Sequence, residues 1–380
     1  MTGVYLHIPY CIKKCSYCDF VSFPACGELD AYVDALCKEI RLTTATLPET
    51  GAVASVFLGG GTPSLLSGEQ LNKILTTVRT CFCVLPSAEI SMECNPGTTT
   101  KDKLVAYRKA GVNRLSIGLQ SANDRLLAAI GRIHSADDFF ATFSDARDCG
   151  FQNINVDVMH GLPDQTQQDY LQTLRAVISL GVEHISSYAL ILEEGTLLYN
   201  RVKNGICNVP SEDCTADMED AGIELLSQNG YLRYEISNFA KDSFFCRHNV
   251  NYWENGEYYG FGLAAHGAKK VDGEWTRFEN VTDRRAYFSL IAQGKRPLER
   301  VLEISKEEEM FESVMVGLRM TGGIDLAAFS KRFHCSLYEA YPKAVDRLRE
   351  LGWLWETSQY FALNRRGLDF QNRALAIFMD

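Results

Sequence analysis

Three cysteines, Cys11, Cys15 and Cys18, form a CxxxCxxC pattern directly after the first apolar run of the sequence. Thiolates at this spacing can converge on one metal centre, and a structural zinc ion would take four protein ligands. The nearby candidates for a fourth ligand are Asp19, His7 and Cys26. None of them stands out. Three thiolates with an open fourth corner suit a four-iron cluster whose last iron binds an exogenous ligand. Zinc and an incidental group of cysteines are the alternatives.

The remaining cysteines do not indicate disulfides. The chain has 13 cysteines, an odd number, and a long chain without a secretory leader is a poor candidate for a disulfide framework. Most of the others stand singly among apolar residues, where cysteine behaves as a small buried hydrophobe. These are Cys37, Cys81, Cys83, Cys149, Cys207, Cys214 and Cys335.

Composition narrows the class of protein. The 380 residues are 46% apolar and 23% charged, as in ordinary globular proteins, which excludes disorder, collagen and coiled coil as overall classes. No apolar run approaches the roughly 18 residues of a membrane helix. We therefore expect a cytosolic protein. The net charge of −10 argues against nucleic acid as a partner, because nucleic acid rewards a basic surface.

Six short apolar runs alternate with amphipathic stretches through the first 240 residues. The predicted strands are 4–8, 53–58, 89–92, 114–117, 153–158 and 184–190. The predicted helices are 29–42, 69–81, 101–110, 136–149 and 167–180, the second of them opened by a capping box at Ser67 and Gln70. This alternation indicates parallel β/α units, and in a β/α barrel the chemistry lies at the C-terminal ends of the strands.

Polar and glycine residues follow these strands. Gly59, Gly60 and Gly61 precede Thr62 after the second strand, and bare glycine backbone lets a chain pass close to a ligand. The other strand-end or loop residues of this kind are Glu93, Asn95, Ser116, Gly118, Gln120, Arg132, Asp157, Tyr188 and Ala189. Any one of them alone is best explained as a cap or a surface residue. Together they supply what a ribose, a carboxylate and an adenine need.

The pattern changes after about residue 306. Helix-like stretches at 307–320, 326–333 and 337–351 precede an alternating segment at 354–363 and a last helix near 367–378. Helices followed by a hairpin suggest a compact winged-helix-like unit. We expect three parts: a barrel domain over 1–240, a connecting segment over 241–300, and a small helical domain over 301–380.

The cysteine motif, with Tyr17 before its last cysteine, resembles the signature of the radical S-adenosylmethionine (SAM) superfamily. The resemblance implies an α/β fold with a partial (β/α)6 TIM-like barrel, followed here by the mainly helical winged-helix-like domain. It also implies that Cys11, Cys15 and Cys18 hold a [4Fe–4S] cluster whose open iron is chelated by SAM. In that superfamily an electron from the cluster cleaves SAM to a 5′-deoxyadenosyl radical, so the cofactors supply the chemistry and the protein positions them.

Within that superfamily the chain is similar to the coproporphyrinogen dehydrogenase-like branch, whose strings GRIHS, GLPDQT and YEISNFA recur at 131–135, 161–166 and 234–240. The resemblance covers most of residues 1–240. It implies a set of SAM-contacting residues, including two near the cluster. These are Tyr5, Tyr17, Gly60, Gly61, Thr62, Glu93, Gln120, Arg132, Asp157 and Ala189.

The HNxxYW string at 248–253 is similar to a motif of the radical SAM heme chaperone family. An imidazole can ligate heme iron, and aromatic rings can pack on a flat macrocycle. His248 is therefore the candidate heme contact, with His266 as a lesser candidate. From the residues alone, a local structural role for His248 and a core role for Tyr252 and Trp253 are the better explanation. The family resemblance favours heme.

Two departures set the chain apart from the dehydrogenase itself. Phe20 stands where that enzyme carries a fourth cysteine, and Cys11 lies much closer to the start of the chain. We therefore expect a heme chaperone without coproporphyrinogen dehydrogenase activity, delivering heme to apo-hemoproteins, including membrane-associated ones of the respiratory chain. The alternatives are oxidative decarboxylation of a porphyrinogen, and methylation or ring opening of heme. An electron donor and a second copy of the chain are further expected partners. The alternatives to radical chemistry are that the cluster is structural, regulatory or a dimerisation device.

Overall fold

The structure is a computed structural model that describes residues 2–25, 27–46 and 51–379. The strands in these ranges are β1 (Thr2–Ile8), β2 (Tyr10–Cys11), β3 (Phe23–Pro24), β4 (Val53–Gly60), β5 (Val84–Cys94), β6 (Arg114–Gln120), β7 (Ile154–His160), β8 (His184–Ala189), β9 (Leu232–Arg233), β10 (Asn238–Ala240), β11 (Tyr258–Phe261), β12 (His266–Val271), β13 (Glu274–Asn280), β14 (Leu298–Ile304), β15 (Ile324–Asp325), β16 (Leu354–Glu356) and β17 (Tyr360–Leu363).

The helices in the same ranges are α1 (Leu29–Thr44), α2 (Gly68–Cys81), α3 (Lys101–Ala110), α4 (Asp124–Ala129), α5 (Ala136–Asp148), α6 (Gln167–Ser179), α7 (Leu197–Lys203), α8 (Glu212–Gln228), α9 (Arg247–Trp253), α10 (Arg284–Ala292), α11 (Lys306–Gly317), α12 (Leu326–Phe333), α13 (Leu337–Ala340), α14 (Pro342–Leu351), α15 (Arg365–Asp369) and α16 (Gln371–Ala376). The predicted capping box at Ser67 and Gln70 opens α2.

A parallel sheet forms the centre of the molecule. The six predicted strands are β1, β4, β5, β6, β7 and β8, which pair in that order and all run parallel. The predicted helices between them are present as α1, α2, α3, α5 and α6. Inner-face side chains from both β1 and β8, Tyr5 and Tyr188, line one cavity. The sheet therefore curves into an incomplete barrel, which confirms the predicted fold class.

The outer face of this sheet packs against the helices and forms the hydrophobic core with them. In β1 the alternate residues Val4, Leu6 and Ile8 are fully buried against the helices, while Tyr5 and His7 face inward. This two-residue period is the consequence of pleating, which sends successive side chains to opposite faces. The same alternation in β6 buries Leu115, Ile117 and Leu119 outside and leaves the polar residues inside. A parallel sheet covered by helices thus keeps a polar interior.

Residues 241–300 are part of this sheet. Strand β11 pairs in parallel with β1 as a seventh parallel strand, and β12, β13 and β14 continue from it in antiparallel order. On the far edge β10 pairs antiparallel with β8. The strands of the predicted connecting segment therefore continue the sheet of the barrel, and its helix α9 packs against β1 and β4. The division into three domains stays a prediction.

The C-terminal residues form a second hydrophobic core. Residues from α11, α12, α14 and the hairpin β16–β17 pack together, with Phe333, Leu348 and Phe361 among the most buried. The predicted helix over 337–351 is two helices, because Pro342 stands at the start of α14 and cannot continue a preceding helix. Strand β15 joins the hairpin as a third strand. In the described part of the chain no helix is both long enough and apolar enough to span a bilayer.

Candidate functional site

The three cysteines of the motif lie in the loop that follows β1. Cys11 ends β2, and the loop is tied down on both sides. The Ser16 backbone N–H donates to Ile130 O at 3.0 Å, and Ser16 O accepts from Leu198 N–H at 2.7 Å. Two side chains reach the sulfur atoms directly. Thr62 Oγ1 lies 3.5 Å from Cys11 Sγ, and an Arg132 Nη lies 3.6 Å from Cys15 Sγ.

The three thiols of the motif face one cavity, where all three are half-buried. Three thiolates can hold a four-iron cluster and leave its fourth iron open to another ligand. Cys26, considered above as a fourth ligand, lies outside the described residues.

The glycine run forms a backbone cradle beside these cysteines. Gly60 has φ of +109°, a conformation that glycine adopts without strain. Gly61 N–H donates to Ile8 O at 2.9 Å. A Cβ built on Gly61 would lie 2.8 Å from Ile8 O and from both the N and O atoms of Tyr10. Only glycine therefore fits at this position, where the chain leaving β4 passes close to the end of β1.

Glu93 is a half-buried carboxylate that points into the cradle. It accepts a hydrogen bond from the Gly60 backbone N–H at 3.1 Å. The pKa of Glu93 is raised to about 8, first by burial and then by the charge of Asp157, while the hydrogen bond from Gly60 lowers it. A single N–H does not compensate for burying the charge. An ammonium group would compensate for the buried charge of Glu93. The site therefore fits the amino group of an amino acid ligand.

The opposite wall of the cavity is held by a hydrogen-bond network. Arg132 donates to Asn95 Oδ1 and to Gly118 O, both at 2.8 Å. Gln120, with φ of +59°, accepts from the Tyr188 hydroxyl at 3.3 Å. The carboxylate of Asp157 accepts from Ser116 and Asn155, and burial raises its pKa. These residues come from the three strands β6, β7 and β8 and from two loops.

One cavity of about 640 Å³ collects the residues predicted to hold the cluster and SAM. Its lining includes Cys11, Cys15, Cys18, Tyr5, Tyr17, Gly60, Gly61, Thr62, Glu93, Gln120, Arg132, Asp157 and Ala189. Tyr17 also packs beside Tyr188 against a small apolar cluster centred on Leu126 and Met159. The residues fit the cofactors of the radical SAM family in position and donor type, and their individual contacts with SAM stay predictions.

His248 lies elsewhere, beneath the cavity. Its ring Nδ1 is 2.8 Å from the Ser55 hydroxyl, and Nε2 is 2.8 Å from the Tyr252 hydroxyl. The residue is 1% exposed. Burial, and then the charge of Arg114, lowers the pKa of the ring to about 3. The predicted heme contact does not fit this geometry, because both nitrogens are engaged with protein. The local structural role fits. His266 is exposed on β12 and does not line the cavity.

Sequence reasoning missed three features of the cavity. Arg114 and Phe57 face its interior, and the alternation of their strands was the signal that pointed there. At the rim, Phe20 and Ile191 line the cavity while being 62% and 68% exposed. Two exposed apolar side chains therefore stand at the entrance of the cavity.

Comparisons with known proteins agree with this site. Residues 5–177 match the model of the radical SAM superfamily, and residues 304–370 match that of the HemN C-terminal domain. The chain is 36% identical to the heme chaperone HemW of Bacillus subtilis (strain 168), covering 100% of this chain and 99% of that protein. It is also 36% identical to the heme chaperone HemW of Escherichia coli (strain K12), covering 99% and 98%.

A solved structure shares the fold. Coproporphyrinogen III oxidase (HemN) from Escherichia coli, a radical SAM enzyme, superposes with a TM-score of 0.86 at 23% identity, covering 99% of this chain and 90% of that one. At this identity the likeness concerns the fold alone. The sequence identity to the two proteins named HemW is higher, at 36%, and it extends over nearly the whole chain. It therefore includes the cysteine loop, the glycine cradle and the C-terminal unit. The chain belongs to the HemW heme chaperone family of the radical SAM superfamily.

Proposed function

We propose that this protein binds heme and delivers it intact to apo-hemoproteins, with a [4Fe–4S] cluster and SAM held at the mouth of its barrel. The observation that carries the proposal is the full-length identity of 36% to two proteins named heme chaperone HemW. The site supports it, since the cluster loop and the cradle are complete in the described residues. Oxidative decarboxylation of coproporphyrinogen is the second candidate, supported by the fold shared with HemN.

Phe20 favours the chaperone over the decarboxylase. In the dehydrogenase itself a cysteine is expected at this position, and here an exposed phenyl ring lines the cavity instead. Together with Ile191 it gives the cavity an apolar rim. A flat macrocycle gains free energy when its apolar face leaves water, at about 25 cal/mol per Å² of buried area. We therefore place the heme contact at this rim and not at His248.

The chain's own residues have separable tasks. When bound, the cluster and SAM supply one-electron chemistry at the cavity mouth. Cys11, Cys15 and Cys18 hold the cluster, with Arg132 and Thr62 directing N–H and O–H donors at two of the sulfur atoms. Glu93 receives the amino group of SAM, and Gln120 and Asp157 orient its ribose and adenine. Buried in the floor, His248 supports the strands that carry these residues.

The partners follow from this task. The acceptors are apo-hemoproteins, including membrane-associated ones, and a redox protein donates electrons to the cluster. We place the protein in the cytoplasm, where thiolates stay reduced. A homodimer could form near the cluster loop, because the rim residues Phe20 and Ile191 are exposed there. We expect no nucleic-acid partner, because a net charge of −10 opposes binding to a polyanion.

The test is an anaerobic heme titration of the cluster-reconstituted protein followed by its Soret absorbance. Wild type should give a stoichiometric band, and Ile191→Ser should weaken heme binding. Ile206→Ser is the matched control, since Ile206 is 67% exposed but does not line the cavity. A band weakened equally by both substitutions would contradict the rim site. Absence of any specific band would contradict the chaperone function and return attention to porphyrinogen substrates.

A further inference from the structure

Arg114 is a buried cation without a partner. The residue is 2% exposed, yet it lines the cavity of the site. Its Nε atom is buried without a hydrogen-bond partner. Within residues 2–25, 27–46 and 51–379 the guanidinium forms no hydrogen bond or ion pair. Burying an unpaired charge costs free energy. A guanidinium in this position therefore indicates a ligand that accepts its hydrogen bonds and balances its charge.

The two carboxylates that interact electrostatically with Arg114, Glu89 and Asp157, already accept hydrogen bonds from other groups. Glu89 accepts a hydrogen bond from the Arg247 backbone N–H at 3.2 Å, at the start of α9. Asp157 accepts from Asn155 Nδ2 at 2.8 Å. Both carboxylates attract Arg114 through space, but neither lies within ion-pair distance of it. Their hydrogen bonds tie them to the barrel wall, and the guanidinium is left facing the cavity.

The register of β6 explains this orientation. Arg114, Ser116, Gly118 and Gln120 alternate along the strand and share its inner face, so Arg114 lies at the deep end of the row that Gln120 ends at the mouth. Asn238 lines the same cavity, and its buried Oδ1 also has no hydrogen-bond partner. The cavity thus presents two unsatisfied polar groups away from the cluster.

We infer that Arg114 is the anion-binding residue of the cavity and that it receives a carboxylate of the ligand. A guanidinium presents paired N–H donors that match a carboxylate, and such charge-assisted hydrogen bonds are the strong ones. The identity of the ligand rests on the proposed function: heme carries two propionates, and one of them is the carboxylate that Arg114 takes. The macrocycle then remains toward the apolar rim of Phe20 and Ile191.

The experiment compares two probes, heme and heme dimethyl ester, whose propionates are blocked. Each is titrated anaerobically into wild type, Arg114→Gln and the control Arg175→Gln, which replaces an exposed arginine on α6. Wild type and the control should bind heme about 10- to 100-fold more tightly than the ester, as expected for a charged hydrogen bond. Arg114→Gln should lose this preference while its affinity for the ester stays unchanged.

Two results would overturn the inference. One is a preference for heme over its ester that survives in Arg114→Gln. The other is an equal loss of affinity for both probes. Iron content and thermal unfolding establish that the variant folds. If Arg114→Gln does not fold, Arg114→Lys replaces it, because lysine keeps the charge but loses the paired donors; it should bind heme more weakly than wild type, and an unchanged preference would again overturn the inference.

A heme-free measurement separates this inference from the proposed function. Sodium propionate should raise the unfolding temperature of wild type and not that of Arg114→Gln. If wild type binds no heme but propionate acts through Arg114, the proposed function fails and the anion site stands. If heme binds with no preference over its ester and propionate has no effect, the chaperone function stands and the role of Arg114 fails.

Discussion

The Ser55 hydroxyl lies 2.8 Å from Nδ1 of His248, although 193 positions separate the two residues in the chain. Ser55 is on β4 and His248 is in the first turn of α9. The contact closes the barrel from below, and the Tyr252 hydroxyl holds the other ring nitrogen. A histidine that a motif marks for ligand chemistry is therefore part of the scaffold, and it is neutral there.

This neutrality predicts how stability depends on pH. The pKa of His248 is lowered to about 3 in the folded chain, while an unfolded histidine titrates near about 6.5. Below that pH the unfolded state binds a proton that the native state refuses, so the free energy of unfolding falls as the pH falls. For His248 the loss between pH 6.5 and 4 is about 2 to 3 kcal/mol. The other buried histidines, whose pKa values are also lowered, add to it; they are His7, His134, His160 and His184.

The check is denaturant unfolding of wild type and His248→Gln across that pH range. Glutamine does not titrate, so the variant should lose less stability on acidification than wild type. His266→Gln, at an exposed position, should follow wild type. Parallel curves for wild type and His248→Gln would contradict the burial of a neutral ring.

Glu93→Gln should separate stability from cofactor binding. The pKa of Glu93 is raised to about 8, so the native state holds a proton that the unfolded state releases above its ordinary pKa. The free energy of unfolding then falls as the pH rises through that range. At pH 9, without ligand, the free energy of unfolding of Glu93→Gln should exceed that of wild type by about 3 to 5 kcal/mol.

The same variant should bind SAM about 10- to 100-fold more weakly, because a charged hydrogen bond to the amino group is lost. Isothermal titration on the reconstituted protein measures this, with Glu299→Gln as an exposed control. Unchanged SAM affinity in Glu93→Gln would remove Glu93 from the SAM site.

Gly61→Ala should damage the cradle through backbone contact alone. The new Cβ would lie 2.8 Å from three backbone atoms of Ile8 and Tyr10, and rigid backbone cannot yield as a side chain does. We expect a loss of about 1 to 3 kcal/mol in unfolding free energy, with reduced iron uptake. Gly322→Ala meets nothing within 4 Å and should behave as wild type. Equal stability of the two variants would show that the cradle is looser than the contacts indicate.

Cys15→Ser should abolish the cluster. Wild type reconstituted without oxygen should be brown and bind about four irons per chain, and the variant should be nearly colourless. Cys83→Ser removes an exposed cysteine outside the site and should keep the colour. A colourless wild type that retains zinc would contradict the cluster.

Local signals made much of the barrel predictable. The strands of the parallel sheet have period-2 burial, and the capping box at Ser67 marks where α2 begins. Strand β11 was not predicted, because Tyr258–Phe261 is short and is stabilised by pairing with β1, far away in sequence. Local pattern carries no information about such pairing. The break before α14 could have been predicted, because a proline such as Pro342 cannot continue a preceding helix. The prediction of one helix over 337–351 overlooked this local signal.

The site divides in the same way. Strand-end residues such as Glu93 and Asp157 were found because the carboxyl ends of parallel strands must meet at one mouth. The hydrogen-bonded position of the His248 ring was not predicted, because the type of a residue indicates what its side chain can bind but not which residues surround it. Ser55 has no motif, and its contact with His248 exists only in the folded chain.

The central claim is that heme passes through this protein intact, and one mass balance tests it most directly. Heme-loaded, cluster-reconstituted protein is mixed anaerobically with SAM, dithionite and apomyoglobin, and heme and 5′-deoxyadenosine are counted by chromatography. The account predicts that all heme is recovered unchanged, most of it in the acceptor, and that coproporphyrinogen III supplied instead is not decarboxylated. Heme lost in step with 5′-deoxyadenosine, or porphyrinogen oxidised, would contradict it.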